Sequence, residues 1–415
     1  MKILYTITSY LPAMGGAQQH FHEIALRLQA TEELQVIRQW DRNRQDWLLG
    51  STVFAPRVQA ARVDGIDTHG LNFSLLDRAL MAPGIPLFYG APQVFTPWVS
   101  RFFLKRLRES KFRPDLIHHG RVGRENLAWA SFLRARELGI PAVLTPFHHP
   151  RWIGWRYREW LKLYRQADHI FALTEAEKKI LQTLGVASDR ITVIGHGPTV
   201  LPKADGAGFR KKHGLGSHPV VLFLGQKYLY KGFVQLLDSA PEVWKKFPET
   251  RFVFVGPRTQ ESAKIFGERP PDARIIEVDA VSLQEKCDAL AACDIFAMIS
   301  TQESFGGVYV EAWMYSKPVV GGRIPAVSDV VEDGVNGLLV EQDSTAIAAA
   351  ILTFLRDPEK AAAFGRAGLD KARREFAWEA ITARVRDAYG AIIKRHRREL
   401  HLRGRSVEQN SSTSH

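Results

Sequence analysis

Short apolar runs alternate with helically spaced apolar positions along most of the chain. Residues 3–7 form the first β-branched run; Pro12 and Gly15-Gly16 follow it, and Ala17, Phe21, Ile24, Ala25 and Leu28 then recur at helical spacing. Further strands are predicted at 116–117, 142–145, 170–173 and 191–194. A polar, Gly-rich stretch covers 202–217, and the pattern then begins afresh with 220–224, 252–255, 275–278, 295–299 and 318–320. Short strands separated by helices imply parallel sheets with right-handed crossovers. Two such series imply an α/β protein of two Rossmann-like, doubly wound domains. The predicted division is 1–200 for the first domain, 201–216 for a linker and 217–375 for the second. A helix over 376–397, opened by Phe376 and Trp378, is predicted to follow. The basic and polar tail 398–415 is expected to be disordered. Ligands of open α/β sheets bind beyond the carboxyl ends of the strands, so two sheets facing across a cleft would hold the site there.

Bulk properties narrow the class. A length of 415 residues suits two domains of roughly 200 each. No run of about 18 apolar residues predicts a transmembrane helix. The N-terminal segment turns polar at once and does not read as a secretory signal. Cys287 and Cys293 form neither a metal pattern nor a disulfide framework. These features point to the cytoplasm. The net charge of +12 attracts polyanions, whether anionic lipid, phosphorylated substrates or nucleic acid. No nucleic-acid module signature accompanies it, so nucleic acid is not an expected partner.

Three constellations carry chemistry. In the first, Glu303 and Glu311 lie eight apart, separated by Phe305-Gly306-Gly307 and the start of a helix. The two glycines let the backbone turn sharply and approach a ligand, and the helix N-terminus offers N–H groups to a diphosphate. Glu311 can accept from a ribose diol, and Glu303 can reach sugar hydroxyls. Two surface glutamates around an ordinary strand-to-helix turn would leave the same letters. In the second, the segment from Gly225 to Gly232 follows the first strand of the second domain. Its Lys231 can neutralise charge on a leaving diphosphate, although a lone loop lysine is more often merely solvated. The Gly/Lys spacing of a phosphate-binding P-loop is missing, and Gly15-Gly16 does not supply the dinucleotide fingerprint. In the third, His118-His119 and His148-His149 fall on or near strand ends, where they can bond a sugar or move a proton. No carboxylate pair accompanies them at metal-ligand spacing, so no metal is expected.

Taken together, these motifs resemble a retaining glycosyltransferase of family four, with the GT-B fold. The resemblance covers nearly the whole chain. It rests on Gly15-Gly16, on Asp115 and His118 as an Asp-x-x-His strand, on Ala167-Asp168 through Thr174, and on Gly195-His196-Gly197 where an Asn-Gly turn is usual. It rests further on Lys231-Gly232, on Glu303 to Glu311 as the E-x7-E signature, and on Asp333-Gly334 with Asn336 to Val340. The resemblance implies that Lys231 binds the donor diphosphate, Glu303 holds the transferred sugar, and Phe305, Gly306 and Gly307 contact it by backbone. It also implies Glu311 on the ribose, Gly15 and Gly16 near the phosphates, His118 near the reacting face of the sugar, and a 376–397 helix that crosses back to the first domain. Neither cofactor nor metal is implied; the nucleotide-sugar is a substrate, with GDP-mannose and UDP-sugars both familiar donors.

One departure from the family pattern is chemical. Arg usually stands five residues before the lysine, and Gln226 stands there here. A glutamine does not neutralise a phosphate, which leaves Lys227, Arg258 or Arg323 to substitute. It also leaves a catalytically silent sugar-nucleotide or glycan-binding scaffold as the alternative. The acceptor is expected to be a glycan or lipid-linked, as in lipopolysaccharide synthesis, and to bind the first domain. Residues 97–108 and 151–160 there are both aromatic and basic, which suits an anionic membrane face. The same letters fit aromatics facing the core and arginines facing water.

Overall fold

The computed structural model describes residues 1–13, 15–41, 52–53, 58–120, 126–148, 154 and 157–412, with backbone alone at 87–89, 160 and 403–412. The chain forms two compact units. The first comprises 1–173, 177–194 and 381–415; the second comprises 174–176 and 195–380.

The first unit is built on an eight-stranded sheet. Its strands are β1 (Lys2–Ser9), β2 (Glu33–Trp40), β3 (Ala61–Val63), β4 (Ile66–Gly70), β5 (Leu116–Gly120), β6 (Ala142–Thr145), β7 (His169–Ala172) and β8 (Ile191–Val193), in the order β3-β4-β2-β1-β5-β6-β7-β8. All pairings are parallel except β3 with β4. Seven of the eight β1 residues are buried, as a strand covered by helices on both faces requires. Leu4, Ile117, Leu144 and Ile170 face Phe103, Leu107, Leu127 and Leu163 of the covering helices in one core.

The second unit carries a six-stranded, fully parallel sheet. Its strands are β9 (Val220–Leu224), β10 (Arg251–Val255), β11 (Ile275–Val278), β12 (Ile295–Met298), β13 (Val319–Gly322) and β14 (Gly337–Val340), in the order β11-β10-β9-β12-β13-β14. Every residue of β9 is buried, each large apolar side chain contributing about 1.5–3 kcal/mol. Short polar side chains start the covering helices. Asp205, Thr259, Ser282 and Asp343 each accept a backbone N–H of the first turn.

In both units the chain winds outward from the first strand, then returns to that strand's other side. The direction reverses between β1 and β5 in the first unit, and between β9 and β12 in the second. Crevices form at such reversals, at the carboxyl ends of the two strands. This connectivity decides which loops become neighbours.

Several expected boundaries shift. The division falls between Ile194 and Gly195, and the expected linker 201–216 belongs to the second unit. It contains the helix Gly206–Lys212, whose Arg210 binds Asp294 and the carbonyl of Ala292. The crossing helix opens at Trp378, and its residues from Ile381 belong to the first unit. Phe376 instead caps the preceding helix. The expected disordered tail continues the helix that opens at Trp378, as far as Ser412. Strands β2, β3, β4 and β14 were absent from the strand pattern read in the sequence.

Candidate functional site

The reversal in the second unit brings two sequence constellations into contact. The loop after β9 carries Lys231, and the loop after β12 carries Glu303. Because β9 and β12 are neighbours, Lys231 Nζ lies 2.5 Å from Glu303 Oε1 across 72 positions of sequence. The loops are joined by backbone as well, the Thr301 N–H donating to the Tyr230 carbonyl at 2.8 Å. The Gln342 side-chain amide donates to both Tyr230 and Ile299 carbonyls. Gly232 makes this approach feasible. Its φ is +78°, and a Cβ there would sit 2.3 Å from the Ile299 carbonyl oxygen. Both side chains keep some access to water, at 17 % for Lys231 and 11 % for Glu303.

Gly306, at φ +84°, turns the chain into the helix Gly307–Trp313. Phe305 is buried edge-on against His196 and Phe376. The helix carries Glu311, which is 10 % exposed on its side chain. Its Oε1 accepts from Lys286 Nζ at 2.8 Å and from the Thr199 N–H at 3.2 Å. Its Oε2 is buried without a hydrogen-bond partner among the described residues. A buried carboxylate oxygen left unpaired costs free energy, so the carboxylate retains a vacant lone pair for a hydroxyl donor. Lys286 and Thr199 carried no sequence signal. One is a lysine on an ordinary amphipathic helix, and the other acts through its backbone. His196 packs its ring against Phe305 and Trp378. Burial and the neighbouring Lys286 pull its pKa down to about 4, so the imidazole is neutral near pH 7.

The cations expected to replace the missing arginine are otherwise engaged. Gln226 is exposed. Lys227 is buried, its ammonium bound to the carbonyls of Gly256 and Val278 and lying 3.4 Å from Glu277. Arg258 pairs with the other oxygen of Glu277 at 2.8 Å. Arg323 binds Asp333 at 2.8 Å and the Leu339 carbonyl. Lys227 and Arg323 thereby tie strand ends and loops together, and Arg258 closes the Glu277 cluster.

In the first unit, exposed Gly15 and Gly16 open the helix Gly16–Leu28 directly after β1, and a Cβ on Gly16 would meet nothing within 4 Å. The reacting-face role implied for His118 does not fit its position. His118 is 1 % exposed. Its Nδ1 is 2.5 Å from the Tyr389 hydroxyl and its Nε2 is 2.8 Å from the Thr145 hydroxyl. The rings of Tyr5, Phe21 and Phe171 enclose it, and burial lowers its pKa well below the ordinary histidine range. Both nitrogens are committed to a structural network, so His118 holds the core of the unit together. Asp115 likewise accepts the Lys2 N–H and pairs with Arg397. His148 is buried against Tyr164 and Glu177, whereas His149 lies outside the described residues.

The two segments expected at a membrane fare differently. Residues 97–108 lie in the helix Pro92–Arg108, whose Val99, Phe103, Leu104 and Leu107 are core residues. Three of its basic side chains find carboxylates: Lys105 and Arg106 bind Asp77, and Arg108 binds Glu137, whereas Arg101 is exposed. The apolar side of residues 97–108 is therefore turned to the core. Most of 151–160 lies outside the described residues. Among the described residues no helix is long and apolar enough to cross a membrane, and no group of three His, Cys, Asp or Glu is placed to hold a metal ion.

Two family models match the chain: Glycosyltransferase Family 4 over residues 14–198 and Glycosyl transferases group 1 over residues 207–371. The second match contains Lys231, Glu303 and Glu311 in the contacts described above. The chain belongs to the family 4, group 1 glycosyltransferases. The chain is 31 % identical over 189 residues to a GDP-mannose-dependent phosphatidylinositol monomannoside mannosyltransferase of Mycolicibacterium smegmatis, covering 43 % of this chain and 50 % of that one. It is 26 % identical over 307 residues to a sulfoquinovosyl transferase of Arabidopsis thaliana, covering 68 % and 58 % respectively. The chain spans about half the length of the curated relatives it matches. Among solved structures, Anabaena HepE in complex with UDP and glucose superposes with a TM-score of 0.69 at 21 % identity, covering 94 % of this chain and 99 % of that one. Sucrose-phosphate synthase from Thermosynechococcus elongatus superposes at 0.67 with 18 % identity, covering 95 % and 100 %. These likenesses carry the GT-B fold.

Proposed function

We propose that this glycosyltransferase moves a hexose from a nucleotide-diphosphate sugar to a hydroxyl of a glycan or lipid-linked acceptor, with retention at the anomeric carbon. The observation that carries the reading is the meeting of Lys231 and Glu303 at the strand reversal, beside the N-terminus of the helix that bears Glu311. Lys231 and the backbone N–H groups at Gly306 and Gly307 would neutralise the diphosphate as its bond to the anomeric carbon breaks. Glu303 would hold sugar hydroxyls while Lys231 turns to the phosphate, and the vacant Oε2 of Glu311 would accept from the ribose. The acceptor oxygen forms the new bond on the face the diphosphate leaves, and its proton passes to a phosphate oxygen. The protein supplies position and charge and forms no covalent bond itself. A relative named for GDP-mannose and a solved neighbour bound to UDP support a nucleotide-sugar donor without choosing the base.

A second reading, a silent sugar-nucleotide-binding scaffold, is favoured by exposed Gln226 and by the engagement of Lys227, Arg258 and Arg323. A panel of UDP-, GDP- and ADP-sugars incubated with the pure protein, following release of nucleoside diphosphate, separates the two. Slow hydrolysis of one donor, abolished by Glu303→Ala, is the expected result. Donor binding with no turnover, even with membrane lipid extract present, would establish the scaffold.

A further inference from the structure

The helix Leu75–Met81 in the first unit is turned inside out. Its first turn is fixed by a capping box, in which Ser74 and Asp77 exchange side-chain and backbone bonds. Asp77 then points inward. It is 2 % exposed, with Lys105 Nζ at 3.0 Å and Arg106 Nη2 at 2.9 Å. Met81 is fully buried. The capping box and the double ion pair together orient the helix. With Asp77 and Met81 inside, helical geometry puts residues 75, 76, 79 and 80 on the outer arc. Leu75 is accordingly 79 % exposed, Leu76 66 % and Leu80 48 %, and Ala79 is exposed between them. Scattered exposed leucines need no explanation, but three on one arc of a seven-residue helix mark a contact surface.

The charges around this arc select its partner. Arg78 borders one side and holds the loop carbonyls of Thr52 and Val53, and Val53 is itself 55 % exposed. Lys105 borders the other side, its side chain 54 % exposed although it touches Asp77. Arg101, one turn back on the helix that carries Lys105, is exposed. The acidic residue of the leucine helix is the buried Asp77, so its outer face presents apolar and cationic groups together. The whole chain carries +12. Leucines that can enter an acyl layer, bordered by cations at headgroup depth, fit an anionic bilayer surface.

We propose that the helix Leu75–Met81 is a membrane-docking wedge that seats the first unit on anionic phospholipid. The apolar contact expected of 97–108 falls to this helix instead, because the apolar side of 97–108 is core; of that segment only the cations Arg101 and Lys105 take part. It stands apart from the transferase reading, because it needs neither donor nor acceptor.

Flotation of the full chain with phosphatidylcholine vesicles, with and without 30 % phosphatidylglycerol (roughly the anionic content that gives a strong surface potential), tests the wedge. The wild-type chain is expected to float with the anionic vesicles and to be released as salt rises, because screening shortens the reach of the cations. The triple variant Leu75→Gln, Leu76→Gln, Leu80→Gln should bind at least about tenfold more weakly, with unchanged circular dichroism and an unchanged melting temperature, since the replaced side chains lie outside the core. Failure of the wild type to float, or equal flotation of the variant, overturns the proposal. So does light scattering that finds a wild-type dimer and a monomeric variant, because the face would then be occupied by a second copy.

Discussion

Replacing Lys286 by Met should weaken nucleoside diphosphate binding specifically through the ribose. Lys286 and Thr199 together hold one oxygen of Glu311 and leave the other vacant. Methionine keeps an unbranched apolar stem, one atom shorter, and removes the ammonium. The carboxylate would then keep only the Thr199 N–H, at 3.2 Å, and could rotate away from the ligand. Hydrogen bonds to charged groups contribute about 1.5–3 kcal/mol each. The Lys286 side chain is still 21 % exposed, which puts the loss at the low end. About 1.4 kcal/mol corresponds to a tenfold rise in Kd. Calorimetric titration with UDP and GDP, each beside its 2′,3′-dideoxy counterpart, reads the effect. The variant should lose about tenfold for the ribonucleotide and under twofold for the dideoxy analogue, which gives Glu311 nothing to accept. Equal losses for both ligands would refute the assignment, because Lys286 would then act on the phosphates or on the fold. No loss for either would refute the positioning of Glu311 altogether.

Other substitutions test the remaining contacts. Lys231→Met should lower turnover of the donor on the order of 10²–10³-fold, and steady-state assay of nucleotide release checks it. Gln226→Arg should raise kcat/KM for the donor about tenfold by adding a second phosphate cation; an unchanged value would mean that position 226 does not face the diphosphate. Gly232→Ala forces a side chain into a left-handed conformation and against the Ile299 carbonyl, so it should lower stability by about 2 kcal/mol or more in denaturant titration. Glu177 is pushed up to about 7 by burial, against N–H bonds from Leu173 and His148. Its folded pKa exceeds the unfolded one, so the folded state holds the extra proton between about pH 4.5 and 7. Stability should therefore fall as pH rises through that window. Glu177→Gln should remove this slope, gaining about 3 kcal/mol relative to wild type between pH 4.5 and 8, whatever its constant cost. A slope unchanged by the substitution would show that Glu177 is ionised in the fold throughout.

Strand letters such as Val220 to Leu224, glycines before helices and the eight-residue spacing of Glu303 and Glu311 were legible in the chain, because backbone period and turn chemistry are local. They determined two parallel α/β series and named the segments that carry Lys231, Glu303 and Glu311. The strand β2 was missed because Gln35, Arg38 and Gln39 interrupt its apolar run, although Arg38 and Gln39 are buried in the fold. The stretch 201–216 read as a linker because its glycines and charges hide a one-sided helix that depends on packing for its stability. Contacts were not legible at all. That Lys231 meets Glu303 follows from β9 lying beside β12, a matter of winding direction that no local pattern encodes. That His118 is enclosed, that Lys227 and Arg258 converge on Glu277, and that Leu75 faces outward while Asp77 faces inward follow from burial and ion pairing between segments distant in sequence. Sequence by itself determined which residue types stand at the turns and strand ends. Only the tertiary structure decided which of them are free to meet a ligand, because a side chain's chemistry is set by what it touches.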